Sequence, residues 1–364
     1  MLKILYVMHI DWDWIKQRPQ YLAEELAKEA DVHVVFLRSF RRPHLGKNNS
    51  SLKRTPLVPV PWRYAFGFAW LDSIINTIVL YYILISMRPD VLWLTHPLMQ
   101  KYIPQFVLSK LYCVYDVMDD HVLLRTGKVS RSQIARSEAA LVHEAELMFA
   151  SSEHLRAKLL ERYGSELIVH LIRNGVDTSI ISTAEQQVSR RQDVKSEVTN
   201  QSCSLLYIGT VSHWIDYPSI LDTLKQFPNL VFHFAGPPEH TIEHERVKYL
   251  GVWPHERLPE LVARYDILIM PFIVNEMIAS VDPVKLYEYV SFHKPIIASS
   301  YPEIERFSPF VEFYSLEKPL AQVVRDLLKR GVRPNYELSD AHHFLGLNSW
   351  RSRVKLILKL LNSR

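Results

Sequence analysis

A chain of 364 residues is too long for one ordinary core and suits two domains of roughly 150 to 180 residues each. Hydrophobic residues at 48% and charged residues at 23% exclude a disordered or fibrous class. A net charge of +4 is too small to imply nucleic acid as a partner, and the two distant cysteines, Cys113 and Cys203, give neither a disulfide framework nor a metal spacing.

The N-terminal MLKILYVMHIDWDW has one lysine, a short apolar run and then acids. A secretory signal needs a longer apolar stretch and a small-residue cleavage site, so the segment reads as a first strand of a cytoplasmic protein. Further short apolar runs follow at Val32–Leu37, Val91–Thr95, Tyr112–Val117 and Leu147–Ala150. Between them lie segments of helical period such as Tyr21, Leu22, Leu26 and Ala27. Strands alternating with helices predict a doubly wound parallel sheet. After the polar stretch 178–202 the pattern restarts, at Leu205–Ile208, Leu230–Ala235, Ile267–Pro271 and Pro295–Ser299. The expected organisation is a first Rossmann-like α/β domain over 1–177, a linker over 178–202 and a second over 203–340. The last segment, 341–364, holds a helix able to pack on either half. Ligands of such domains bind at the carboxyl ends of the strands, which predicts a site in a cleft where two such domains face each other.

Two stretches suggest a surface role. Arg38, Arg41, Arg42, Lys47, Lys53, Arg54 and Arg63 occur without an intervening acid. They precede Tyr64–Met87, an apolar stretch whose only charge is Asp72. Polar interruptions argue against a spanning helix and for a buried or interfacial one. Beside an anionic membrane the basic run would be attracted, and otherwise it is a solvated loop.

The sharpest constellation is in the second half, where MPFIVN ends at Asn275 and Asp282-Pro283-Val284-Lys285-Leu286-Tyr287-Glu288 follows. Asp282 and Pro283 read as the N-cap and first residue of a helix. Lys285 then sits at the helix end that prefers anions, and a bound diphosphate would remove that conflict. Glu288, on the same face, could accept hydrogen bonds from ribose hydroxyls. The bland alternative is a surface Lys–Glu pair.

The segment DPVKLYEYVSFHKPIIAS resembles the donor site of GT-B glycosyltransferases of the family 4 type, and LLYIGTVSHWIDYPSILDTL, LVFHFAGPPE and VKYLGVWPHERLPELVARYDILIMPF resemble other parts of their donor domain. The resemblance covers essentially the whole chain. It implies the GT-B fold and places Lys285 at the diphosphate, Glu288 at the ribose, Gly209 and Thr210 at the donor phosphates and Gly236 towards the nucleoside. It implies no cofactor and no metal, only a nucleoside diphosphate sugar, taken to be UDP-linked. The family's first glutamate is missing, since Ser280 stands eight positions before Glu288. Its usual Lys-Gly is likewise replaced by Trp214 to Tyr217.

After the first strand come His9, Asp11, Trp12, Asp13 and Trp14, then Gln17-Arg18-Pro19-Gln20. With no glycine-rich loop here, a nicotinamide or flavin site is disfavoured. Acids and aromatic faces suit a glycan or lipid-linked acceptor, although the tryptophans could instead pin the loop to the core. HIDW with QRP, and YDVMDDH, resemble bacterial envelope glycosyltransferases of the teichuronic acid type. Arg18 is then expected at an acceptor phosphate, and Asp119 or Asp120 as the base of an inverting enzyme, with Asp11 also a candidate. Ile172–Asp177 resembles the family's interdomain segment. The reading is a glycosyltransferase of cell-envelope polysaccharide synthesis, peripheral on the inner face of the plasma membrane. A sugar-nucleotide epimerase of the same fold, or a sugar-nucleotide-binding subunit without chemistry, are the alternatives.

Overall fold

A computed structural model of the chain describes residues 1–39, 52–58, 69–124, 129–178 and 202–363. Most of the linker expected at 178–202, together with Arg41, Arg42, Lys47 and Arg63 of the basic run, lies outside the described residues.

The chain divides into two compact units, one of Met1–Arg173 with Arg353–Arg364 and one of Asn174–Ser352. It therefore passes from the first to the second at 173/174 and returns at 352/353. The first unit holds a seven-stranded sheet in the order β3 (Lys53–Leu57), β2 (Asp31–Leu37), β1 (Lys3–Met8), β4 (Val91–Leu94), β5 (Tyr112–Val117), β6 (Leu147–Ala150) and β7 (Val169–Leu171). Every pairing is parallel. Its helices are α1 (Arg18–Leu26), α2 (Ala69–Met87), α3 (Gln105–Leu108), α4 (Arg131–Glu144) and α5 (Glu153–Tyr163).

The second unit holds a six-stranded parallel sheet, β10 (Val247–Gly251), β9 (Leu230–Ala235), β8 (Cys203–Ile208), β11 (Ile267–Met270), β12 (Ile296–Ser299) and β13 (Val311–Tyr314). Around it lie α6 (Tyr217–Gln226), α7 (Leu258–Val262), α8 (Glu276–Ala279), α9 (Val284–Ser291), α10 (Leu320–Lys329) and α11 (Leu338–Leu347). Helix α12 (Trp350–Asn362) begins in this unit and continues into the other.

Central strands are covered on both faces, which is why β1, β4, β6, β11 and β12 are almost wholly apolar and buried. Helices present one apolar stripe instead. In α10, Leu320, Ala321, Val323, Val324 and Leu327 are buried at the three-and-four spacing of a single face. Strand order reverses between β1 and β4 in one sheet and between β8 and β11 in the other. Parallel sheets bind ligands just beyond the strand ends at such reversals.

Candidate functional site

In the second unit the reversal is built around two glycines. Gly209, just past β8, has φ +144, and Gly236, just past β9, has φ +150, both accessible essentially to glycine alone. A Cβ on Gly236 would lie 2.0 Å from the Gly209 carbonyl oxygen, and one on Gly209 would lie 2.1 Å from Lys285 Cε. The two turns are thus in contact, and the Lys285 side chain crosses directly over the first. Main-chain bonds fix them, Gly209 N–H donating to Ala235 O at 2.7 Å and Gly236 N–H to Gly251 O at 2.8 Å. The Tyr207 hydroxyl donates to the Thr210 carbonyl at 3.0 Å, and the last amide of β8, at Ile208, donates to the Tyr289 hydroxyl of α9 at 2.8 Å. These bonds place Lys285 and Glu288 over the end of β8.

Among the described residues the Lys285 ammonium makes no hydrogen bond and no ion pair, while burial holds its pKa below the ordinary lysine value and Glu288 pulls the other way. No side chain caps α9, so its first amides and the lysine point to the same need for an anion. The expected cap is corrected here: Pro283 stands at the cap position and Asp282 precedes it, buried. Its carboxylate accepts from the Asn174 amide at 2.6 Å, from the Tyr287 hydroxyl and from Arg306. The Asn174 side chain returns a bond to the Asp282 carbonyl at 2.6 Å. Asp282 therefore ties the start of α9 to the segment that opens this unit.

Glu288 is buried and accepts from His255 Nε2 at 3.0 Å through one oxygen, leaving Oε2 available. Nothing in the sequence reading singled out His255, which lies on a 3-10 turn 33 residues before its partner. Asn275 is the N-cap of α8 and accepts from Ile278 N at 2.9 Å, and the Ser280 hydroxyl, buried, donates to Met277 O at 2.6 Å. The Asn275 Oδ1 and the Ser280 hydroxyl are thus engaged in the local turn. The loop from Trp214 to Tyr217 is held in place too: Asp216 caps α6 and accepts from the Tyr314 hydroxyl, and Ile273 N–H donates to Trp214 O at 2.7 Å.

In the first unit the reversal carries imidazoles. His9 follows β1, His96 follows β4 and His121 follows β5, with ring centroids 4.6, 5.3 and 4.2 Å apart for the pairs 9–96, 9–121 and 96–121. His9 Nδ1 meets the Thr95 hydroxyl at 3.2 Å. His96 Nδ1 accepts from Leu98 N, and His121 Nε2 donates to the Thr95 carbonyl at 3.1 Å. Burial pushes His121 down to about 4 and His96 well below its usual value, the neighbouring imidazoles adding to the second shift. Both are neutral near pH 7, and the sequence reading had singled out only His9.

Among the described residues the Asp119 carboxylate makes no hydrogen bond or ion pair. Burial raises it to about 7, Arg18 opposing and Asp120 adding to the shift. Asp120 differs: Arg162 holds both its oxygens, at 2.9 and 2.5 Å, and lowers its pKa. Of the two neighbours only Asp119 is placed to take up a proton near neutrality. Asp11 is buried and binds the amides of Asp13 and Ser39 at 3.1 and 2.7 Å, organising the loop after β1.

Two acceptor expectations are corrected. Trp12 is 0% exposed, with Arg54 over its ring, so it pins the loop and offers no face to a sugar. Arg18 is 2% exposed, donates to both Asp116 oxygens through Nε at 3.1 Å and reaches Ile172 O through Nη1 at 2.7 Å. It is a buried structural ion pair and cannot reach an acceptor phosphate. Trp14 is half-buried.

Comparison with solved structures settles the architecture. Sucrose-phosphate synthase from Thermosynechococcus elongatus superposes with a TM-score of 0.73 at 12% identity, covering 99% of this chain and 98% of that one. Anabaena Alr3699/HepE, solved with UDP and glucose, gives 0.72 at 15% identity with complete coverage of both. The chain has the GT-B fold. No family model matches the sequence. A curated relative, TuaH of Bacillus subtilis (strain 168), named as a teichuronic acid biosynthesis glycosyltransferase, is 24% identical over 229 residues, 57% of this chain and 56% of the relative. The match thus spans little more than half the length of that relative.

Proposed function

We propose that this GT-B chain is a glycosyltransferase that moves a sugar from a nucleoside diphosphate sugar to a hydroxyl of a glycan or lipid-linked acceptor in cell-envelope polysaccharide synthesis. The observation that carries the proposal is Lys285, a desolvated cation with no partner among the described residues, laid across Gly209 at an uncapped helix start. A diphosphate satisfies the lysine and the helix amides together, and as leaving group it gains negative charge when the bond from C1 to its oxygen breaks. Glu288, oriented by His255, accepts from ribose hydroxyls. In an inverting course the acceptor oxygen attacks C1 while its proton passes to Asp119. HepE, solved with UDP and glucose, supports UDP as the nucleotide to try first, and the teichuronic acid relative supports an envelope glycan as acceptor.

The charge at α9 is sufficient for the leaving group without a metal, so a thermal-shift series with UDP-sugars should give the same stabilisation with and without EDTA. Lys285→Ala should weaken that binding roughly ten- to a hundred-fold. Unchanged affinity in the variant would remove the donor assignment. Ser280, whose position lacks the family's carboxylate and whose hydroxyl is turned to Met277 O, favours one second reading, a donor-binding subunit without chemistry. Donor binding with neither hydrolysis nor transfer to any glycan acceptor would select it.

A further inference from the structure

Helix α2 is inverted in polarity. Its inward face places Leu80, Ile83 and Leu84 in the core of the first unit, together with the buried polar residues Asp72 and Asn76. Its outward face carries Trp70, Ile74, Ile75, Ile78, Tyr81, Tyr82 and Ile85, with Ile78 62% and Tyr82 73% exposed. These positions recur at the three-and-four spacing and form one stripe, roughly 22 Å long at 1.5 Å per residue. Phe106 of α3, 59% exposed, extends it, its ring 6.4 Å from that of Tyr81. Among the described residues no charged side chain interrupts the stripe, and a contiguous apolar surface of this kind marks a contact.

We propose that the stripe on α2 and α3 rests on an anionic lipid bilayer and is buried in its interfacial layer. Trp70–Met87 has the length and composition of a spanning helix. Its inner face, however, belongs to the core of the sheet, so the helix lies on the membrane without crossing it. Aromatic residues beside aliphatic ones suit the boundary between headgroups and acyl chains. Charge decides between a bilayer and a second copy of the chain. Exposed cations lie at and beside the helix: Arg88 at its end, Lys101 on the 3-10 turn packed against it and Lys110 after α3. The acids described in the same region are each held by a neighbour: Asp90 accepts from the Lys3 amide, Glu144 from the Gln105 side chain and Glu146 from the Cys113 amide. A symmetric dimer through the stripe would bring two sets of these cations together, whereas an anionic surface meets them.

The test is flotation of the full chain with phosphatidylcholine vesicles, with and without one third phosphatidylglycerol, at low and high salt, no nucleotide being present. The wild type should float with the anionic vesicles, less so at high salt. The double variant I78E/Y82E should lose binding roughly ten-fold or more while keeping its circular dichroism and melting temperature. L316E, at a fully exposed position of the second unit, should bind as the wild type does. Unchanged binding in I78E/Y82E, or equal binding to neutral vesicles, overturns the proposal. So does a wild-type dimer that the double variant converts to monomer without any vesicle binding. Because donor and acceptor are absent, these outcomes are independent of the proposed transfer activity.

Discussion

Lys285 is a cation at the end of a helix where electrostatics favours an anion, and Gly209 leaves the space through which its side chain passes. Gly209→Ala should therefore act through the lysine: the methyl group meets Lys285 Cε, donor affinity falls with that of Lys285→Ala, and the strained φ costs about 1–2 kcal/mol of stability. A donor-binding assay and a melting curve on both variants check this. His255 holds one Glu288 oxygen, so His255→Ala should raise the KM for the donor several-fold with kcat nearly kept, and His255→Gln should recover part of the loss. Equal changes in both constants would argue against a positioning role. Asp119, raised to about 7, accepts a proton only when ionised, so kcat/KM should climb as pH rises through about 7 and then level off. Asp119→Asn should abolish that rise, and a profile flat across neutrality would remove Asp119 as the base. Lys285 was legible in the sequence because its conflict with the helix is local. Trp12 and Arg18 were not, because their burial depends on Arg54 and Asp116, distant in the chain. His255 had no signal at all, its meaning lying in a partner 33 residues away.

At the scale of elements, what the sequence revealed and what it concealed divide along the sheet. The runs expected as strands match β1, β2, β4, β5 and β6, and then β8, β9, β11 and β12. The unexpected strands β3, β7, β10 and β13 are the edges of the two sheets. Edge strands are covered less completely and need no continuous apolar run, so KRTPL of β3, with Pro56 inside it, reads as part of a basic loop. Helix α9 shows the same limit. The sequence indicates its start but not that Asp282 would leave the cap to bind Asn174, Tyr287 and Arg306. Asp282→Ala strands a buried arginine contact and an amide, and should cost roughly 3 kcal/mol or more in stability. Loss of activity in that variant should come with a lowered melting temperature, whereas Lys285→Ala should melt like the wild type. If Asp282→Ala keeps its stability, the network is not structural.

For the whole molecule, the return of the chain at 352/353 matters most. Val354, Ile357 and Leu361 on α12 are buried, and from Arg353 onward the helix belongs to the first unit. Ile357→Asp should destabilise the protein by about 3 kcal/mol or more. Hydrogen exchange should locate the loss in the β1–β7 sheet, although the substitution is more than 180 residues beyond its last strand. Exchange rising equally in both sheets would mean that the two units unfold as one. The same arrangement sets an order of events on the ribosome. The strands of the first unit are made first, but the helix that completes it is made only after the second unit. During synthesis the seven strands precede the helix that completes their unit, a window in which chaperones have work to do and a stalled chain is a target for proteolysis.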